Sequence, residues 1–177
     1  MTSTLQVQTL QGPTSGADSN TVRVADGHNL HAKGHVVQTV YYEWDNQFQT
    51  SSNSYVSVTG SSVSITPKFS NSKIIVDAGV SLTSFRNSTN SGGSIRIVEN
   101  GVSLQDTADA QPYIKAGGSS EVVFNILTFK RNECQTTVTA GVQKTFSLEL
   151  ISHATAEETI NAGGNYGSTM TVWEIAQ

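Results

Sequence analysis

Apolar residues recur at every second position through most of this chain, and the runs restart after clusters of Gly, Asn and Ser. A period of two sends alternate side chains to opposite faces of an extended strand, whereas a helix needs spacings of three and four. Val63/Ile65, Ile74/Val76/Val80/Leu82, Ile95/Ile97, Val122/Phe124/Ile126 and Phe146/Leu148/Leu150 each line one face. The pattern predicts strands at 36–44, 55–58, 63–66, 74–82, 94–99, 102–105, 121–129, 135–139, 144–151 and 169–175. Three stretches, 86–93, 106–120 and 153–167, are too polar and too rich in Gly for strands and are expected as loops.

The sharpest local signal is Asn100-Gly101, set between Ile95-Arg96-Ile97-Val98-Glu99 and Val102-Ser103-Leu104. Both residues tolerate positive φ, which a two-residue type I′ hairpin requires. With no helix to cover an open sheet, this many strands must bury their apolar faces against one another. The expected fold is therefore an all-β, antiparallel, jelly-roll-like β-sandwich over 35–177. An immunoglobulin-type sandwich fits less well, because the chain has 1 Cys and its two Trp lie near the two ends of the body.

Residues 1–34 read differently. Leu5, Val7 and Leu10, then Val22 and Val24, are sparse apolar points separated by turn signals at Gly12-Pro13, Ser15-Gly16 and Asp26-Gly27. Such a segment cannot build a core alone and suits an extended N-terminal attachment arm that pairs with another surface.

Composition narrows the function. Only 14% of the residues are charged, and Ser plus Thr make up about a quarter of the chain. A net charge of -4 with no Lys/Arg cluster beyond Lys130-Arg131 argues against nucleic acid as a partner. No apolar run approaches the roughly 18 residues that span a bilayer, so membrane insertion is not expected. The first residues lack the basic start and apolar stretch of a secretion signal, which points to assembly in a reducing cytoplasm.

Groups able to do chemistry are few. His28, His31 and His35 are spaced for a helix that Gly27 and Gly34 oppose, so no metal site is expected unless copies of one His meet on an oligomer axis. Cys134 has no His-containing motif around it and reads as a small buried hydrophobe. Glu157-Glu158 reads as a charge pair on a loop, its adjacent carboxylates unable to face each other across a cleft. The Gly-rich runs at 117–118 and 163–167 lack the Lys and helix of a phosphate loop. No enzyme and no cofactor is expected.

Leu5-Gln6-Val7-Gln8-Thr9-Leu10-Gln11-Gly12-Pro13-Thr14, Gly34-His35-Val36-Val37-Gln38-Thr39-Val40, Val63-Ser64-Ile65-Thr66-Pro67, Ser72-Lys73-Ile74-Ile75-Val76 and Val172-Trp173-Glu174-Ile175-Ala176 resemble small virion structural proteins of tailed bacteriophages. The resemblance implies a homotrimer with a jelly-roll head and an arm that plugs into the virion, located on the particle as a short tail fibre or a capsid decoration protein. Its implied partners are itself, other virion proteins and, through Arg86, Asn87, Asn90, Tyr113 and Tyr166, host surface glycans. The competing expectation is a free-standing lectin or carbohydrate-binding module.

Overall fold

The computed structural model describes residues 14–16, 28, 31–86, 92–104, 113–115, 121–128, 132–134, 136–153, 157–162 and 167–177. All of its strands belong to the unit Ala32–Gln177. In chain order they are β1 (Val36–Trp44), β2 (Phe48–Thr50), β3 (Val56–Ser57), β4 (Val63–Ile65), β5 (Lys73–Arg86), β6 (Gly92–Glu99), β7 (Val102–Ser103), β8 (Tyr113–Lys115), β9 (Glu121–Thr128), β10 (Asn132–Glu133), β11 (Lys144–His153), β12 (Glu157–Ile160) and β13 (Ser168–Ile175). No α-helix occurs among the described residues.

Every pairing is antiparallel, and the strands fall into two sheets. In the first sheet, β1 and β2 share an outer lane beside β13 and β12, through Val40↔Val172 and Phe48↔Ile160. The long β5 pairs with β13 and then β12 along one side, and with β10 and then β9 along the other. In the second sheet, β3 and β4 border β11, β11 borders β6, and β6 carries β7 and β8. Merging strands that share a lane leaves lanes numbered along the chain in the orders 1-8-3-6 and 2-7-4-5. First pairs with last, second with seventh: this is jelly-roll wiring, two Greek keys folded over one core.

The alternation read from the sequence is what builds the core. β11 buries Phe146, Leu148 and Leu150 completely, and the residues between them are half-buried. β13 does the same with Met170 and Val172, and β5 with Val76, Val80 and Leu82. These meet Ile95, Ile97 and Ile160, all fully buried. Sealing each such side chain contributes about 1.5–3 kcal/mol, which fixes register, because a slip of one residue would turn the set outward.

The hairpin at Asn100-Gly101 forms as expected, with φ of 49° and 83° and Glu99 opposite Val102. Several expectations need correction. The strand predicted at 135–139 does not form at 136–139; the short β10 lies just before it, and Val138 is buried while its carbonyl accepts from Asn71 N–H at 2.8 Å. The predicted loops at 86–93, 106–120 and 153–167 are shortened by the end of β5, the start of β6, and the whole of β8 and β12. β2 was not foreseen. β2, β8 and β12 are of three or four residues, too short to show a period; β12 and β8 form against the longer β5 and β6, and β2 in turn pairs with β12. In β9, Val122, Phe124 and Ile126 pair in register with Phe85, Thr83 and Ser81 of β5.

Candidate functional site

At one end of the sandwich the last inward position of β13 is a carboxylate. Glu174 is fully buried and accepts the backbone N–H groups of Lys68 and Phe69, the Ser72 hydroxyl at 2.7 Å and the Gln38 amide at 2.7 Å. Burial by itself raises its pKa, but these donors outweigh that and hold it below the usual carboxylate range. The acid thereby fastens the connection between β4 and β5 to the far edge of the sheet.

Beside it, Glu99 ends β6 and Lys144 opens β11, both pointing inward. Their side chains are 2% and 6% exposed and meet at 2.7 Å. The Thr136 hydroxyl also donates to Glu99 and accepts from Lys144, and the Cys134 thiol donates to Glu99 at 3.0 Å. Burial pushes Glu99 upward, yet the bonds from Cys134, Lys144 and Thr136 together with the Lys144 charge leave it below its ordinary value. Burial and the Glu99 bond push the thiol up, so Cys134 stays protonated. A protonated thiol is a hydrogen-bond donor and a poor nucleophile. A shallow cavity of about 420 Å³ opens nearby between Asn71, Ser72, Lys73, Thr136 and Gln177, with Cys134 in its wall. These acids hold connections in place and are sealed from solvent by doing so.

At the opposite end, Glu158 sits on β12 opposite Ser84 of β5 and Thr50 of β2. It is fully buried, reaches the second sheet at Gly93, and accepts from the Ser84 hydroxyl at 2.8 Å through Oε1. Its Oε2 has no partner among the described residues. Burial, only partly offset by Ser84, pushes this carboxyl up to about 7. The expectation of a loop charge pair is thus corrected: Glu157 is exposed, Glu158 is interior, and strand alternation separates them. The only sequence signal for this was the brief Glu158-Thr159-Ile160 alternation.

The outer rim of β1 is the third feature. Among the described residues β1 pairs only with β13, and no described strand lies along its other edge. Val36, Tyr41 and Tyr42 are 44%, 60% and 37% exposed along it. Tyr42 stacks on Trp44 with ring centroids 5.9 Å apart. Next to Val36, the side chains of Ile75, Trp173 and Ile175 enclose a hollow of about 150 Å³ on the outer face of the first sheet.

Of the residues singled out in the sequence, Arg86 ends β5 opposite Glu121, and Tyr113 opens β8 opposite Ser94. Both were expected on loops and both lie on strands, at the end of the sandwich where β5 passes to β6. Asn87, Asn90 and Tyr166 lie outside the described residues, as do Leu5, Val7, Leu10, Val22 and Val24. His28, His31 and His35 are exposed, and among the described residues no three His, Cys, Asp or Glu side chains converge on a point that would hold a metal ion.

No family model and no curated protein matches the chain. Among solved structures it is similar to that of the infectious bursal disease virus Gx strain, at 15% identity and a TM-score of 0.30 over 94% of this chain and 42% of that one. It is also similar to a mutant VP2 protein of the same virus in T=1 particles, at 13% identity and 0.30 over 94% and 41%. A VP2 subviral particle of that virus gives 15% and 0.28 over 94% and 42%. The chain spans less than half the length of these viral chains, and overlap at that depth carries nothing about its activity or partners.

Proposed function

We propose that the protein is a non-enzymatic structural component of a virion that works by adhesion: a compact trimeric appendage, either a short fibre or a capsid decoration protein. The observation that carries this reading is the edge of β1 that no described strand covers. Natural sheets guard exposed edges with Lys, Pro or inward charge, and an unguarded one pairs with another chain. Gln38-Thr39-Val40-Tyr41-Tyr42-Glu43-Trp44 has neither Lys nor Pro, and its single charge, Glu43, is exposed. Exposed Tyr, enriched at protein interfaces, and the apolar hollow beside Val36 suit the same use. The interior acids support it from the other side, since Glu99 and Glu174 are consumed by the fold.

In this reading the arm, through Leu5, Val7, Leu10, Val22 and Val24, attaches the protein to the particle. Arg86, Asn87, Asn90, Tyr113 and Tyr166 contact host glycans where the appendage is a fibre. Three copies close edges that one leaves open.

Sedimentation equilibrium of the full chain tests the assembly. A trimer at micromolar concentration is expected, and Tyr41→Lys with Val36→Lys should yield monomers with unchanged far-UV circular dichroism. A wild-type monomer overturns the trimer. Deleting residues 2–33 should abolish incorporation into particles while the body keeps its melting transition; incorporation without those residues overturns the arm's role.

A further inference from the structure

From the packing around Glu158 we infer that this residue is a pH-operated latch between the two sheets: neutral, it closes the end of the sandwich where β5 passes to β6; charged, it loosens that end.

The geometry is specific to this position. Glu158 projects from the inner face of the first sheet onto Gly93 of the second, so closely that a Cβ at Gly93 would lie 2.5 Å from its Cγ and 2.8 Å from its Oε2. The two sheets are in direct contact through this carboxyl, with no room for a water shell. Among the described residues one donor reaches it, the Ser84 hydroxyl on Oε1, and none reaches Oε2. A neutral acid is tolerated in such a site, whereas a carboxylate lacking a counter-charge is costly, and the cheapest relief is to separate the sheets and admit water. Glu99 and Glu174, also buried, show the contrast: each is supplied with several donors or a cation that outweigh the cost of burial. The pKa near 7 agrees with this difference.

Several charged or titratable residues share the end of the sandwich that holds Glu158. On β11, His153 lies opposite Gly92 and approaches Ser94 Oγ at 3.3 Å. On β5 and β9, Arg86 lies opposite Glu121 in register, two residues along from Ser84. On β8, Lys115 lies opposite Gly92, and Glu157 is the exposed neighbour on β12 itself. β2 contributes Phe48, Gln49 and Thr50, none of which titrates. His153 follows Ser152, the residue opposite Gly93 on β11, and the test must separate its contribution.

Amide hydrogen exchange of the full chain between pH 5 and 8, corrected for intrinsic rates, reads the latch. Because opening releases one proton while Glu158 is neutral inside and charged outside, the opening constant for residues 92–94 and 157–160 should rise up to tenfold per pH unit until about pH 7, then level off. Amides of residues 74–76 and 144–148, at the other end, should not follow. The dependence should survive His153→Gln and Arg86→Gln, and vanish in Glu158→Gln. A flat wild-type profile overturns the latch even if that last variant does not fold. So does a dependence shared equally by both ends, or one removed by His153→Gln.

Discussion

Lys144 Nζ lies 2.7 Å from Glu99 Oε1 in an ion pair almost closed to water, formed between the first inward residue of one strand and the last of its neighbour. The pair sits where the alternation of β6 and β11 runs out of apolar residues, at the rim of the core. Lys144→Met should cost about 3–5 kcal/mol, because Glu99 is left buried without its cation. Adding Glu99→Leu should recover most of that loss. Urea unfolding of the two single variants and the double checks it, and strictly additive costs would show that the pair is not coupled.

Glu174 gives the protein a dependence on acid. Its carboxyl is held low in the fold and regains its ordinary value on unfolding. The unfolded chain therefore binds more protons in the window between the two, and the associated stability is complete above the ordinary carboxylate range and lost as pH falls through the depressed native value. Thermal melts from pH 2 to 7 should show the drop. Glu174→Gln should lower the neutral-pH stability by about 2 kcal/mol and flatten part of the acid slope, Glu99 supplying the remainder with the same sign. An unchanged acid slope in that variant would contradict the assignment.

Asn161 joins β12 to the excursion before β13. It adopts φ of 55°, donates its side-chain amide to the Trp44 carbonyl at 3.0 Å, and accepts from Ser168 Oγ at 2.6 Å. Asn161→Gly loses both bonds but tolerates the backbone, whereas Asn161→Ala loses both and adds left-handed strain. The Ala variant should be the less stable by about 1 kcal/mol. Equal melting temperatures would mean that the strain is relieved elsewhere.

Gly93 must be glycine for reasons of space, since its backbone carries no positive φ and Glu158 fills the position of a Cβ. Gly93→Ala should be strongly destabilising in the wild type and nearly tolerated when Glu158→Ala has made room. The expected coupling is about 1–3 kcal/mol. Additive losses would show that the two residues do not compete for the same volume.

The local half of the architecture was legible in the residues. β1 spans the stretch read as a strand from Val36 to Trp44, and Asn100-Gly101 dictates its own turn because few residues adopt two positive φ values in succession. The all-β class followed from a period of two with no helical spacing to compete. Shorter elements escaped: β12 shows only Glu158 and Ile160 on its inner face, and a buried acid breaks the apolar pattern that would have revealed it. Arg86 and Tyr113 were read as loop residues because the strands that carry them end or begin in polar sequence.

What the sequence determined by itself, then, is periodicity: which stretches extend, which face of each is apolar, and where one hairpin must turn. The tertiary structure alone decided which polar residues go inside. Glu174 meets Ser72 across 102 positions and Lys144 meets Glu99 across 45, and no local pattern announces such partners. A carboxylate is welcome in the interior only where the fold delivers donors to it, so whether Glu99, Glu158 and Glu174 are anchors or a strained contact is set by wiring, not by their neighbours in the chain.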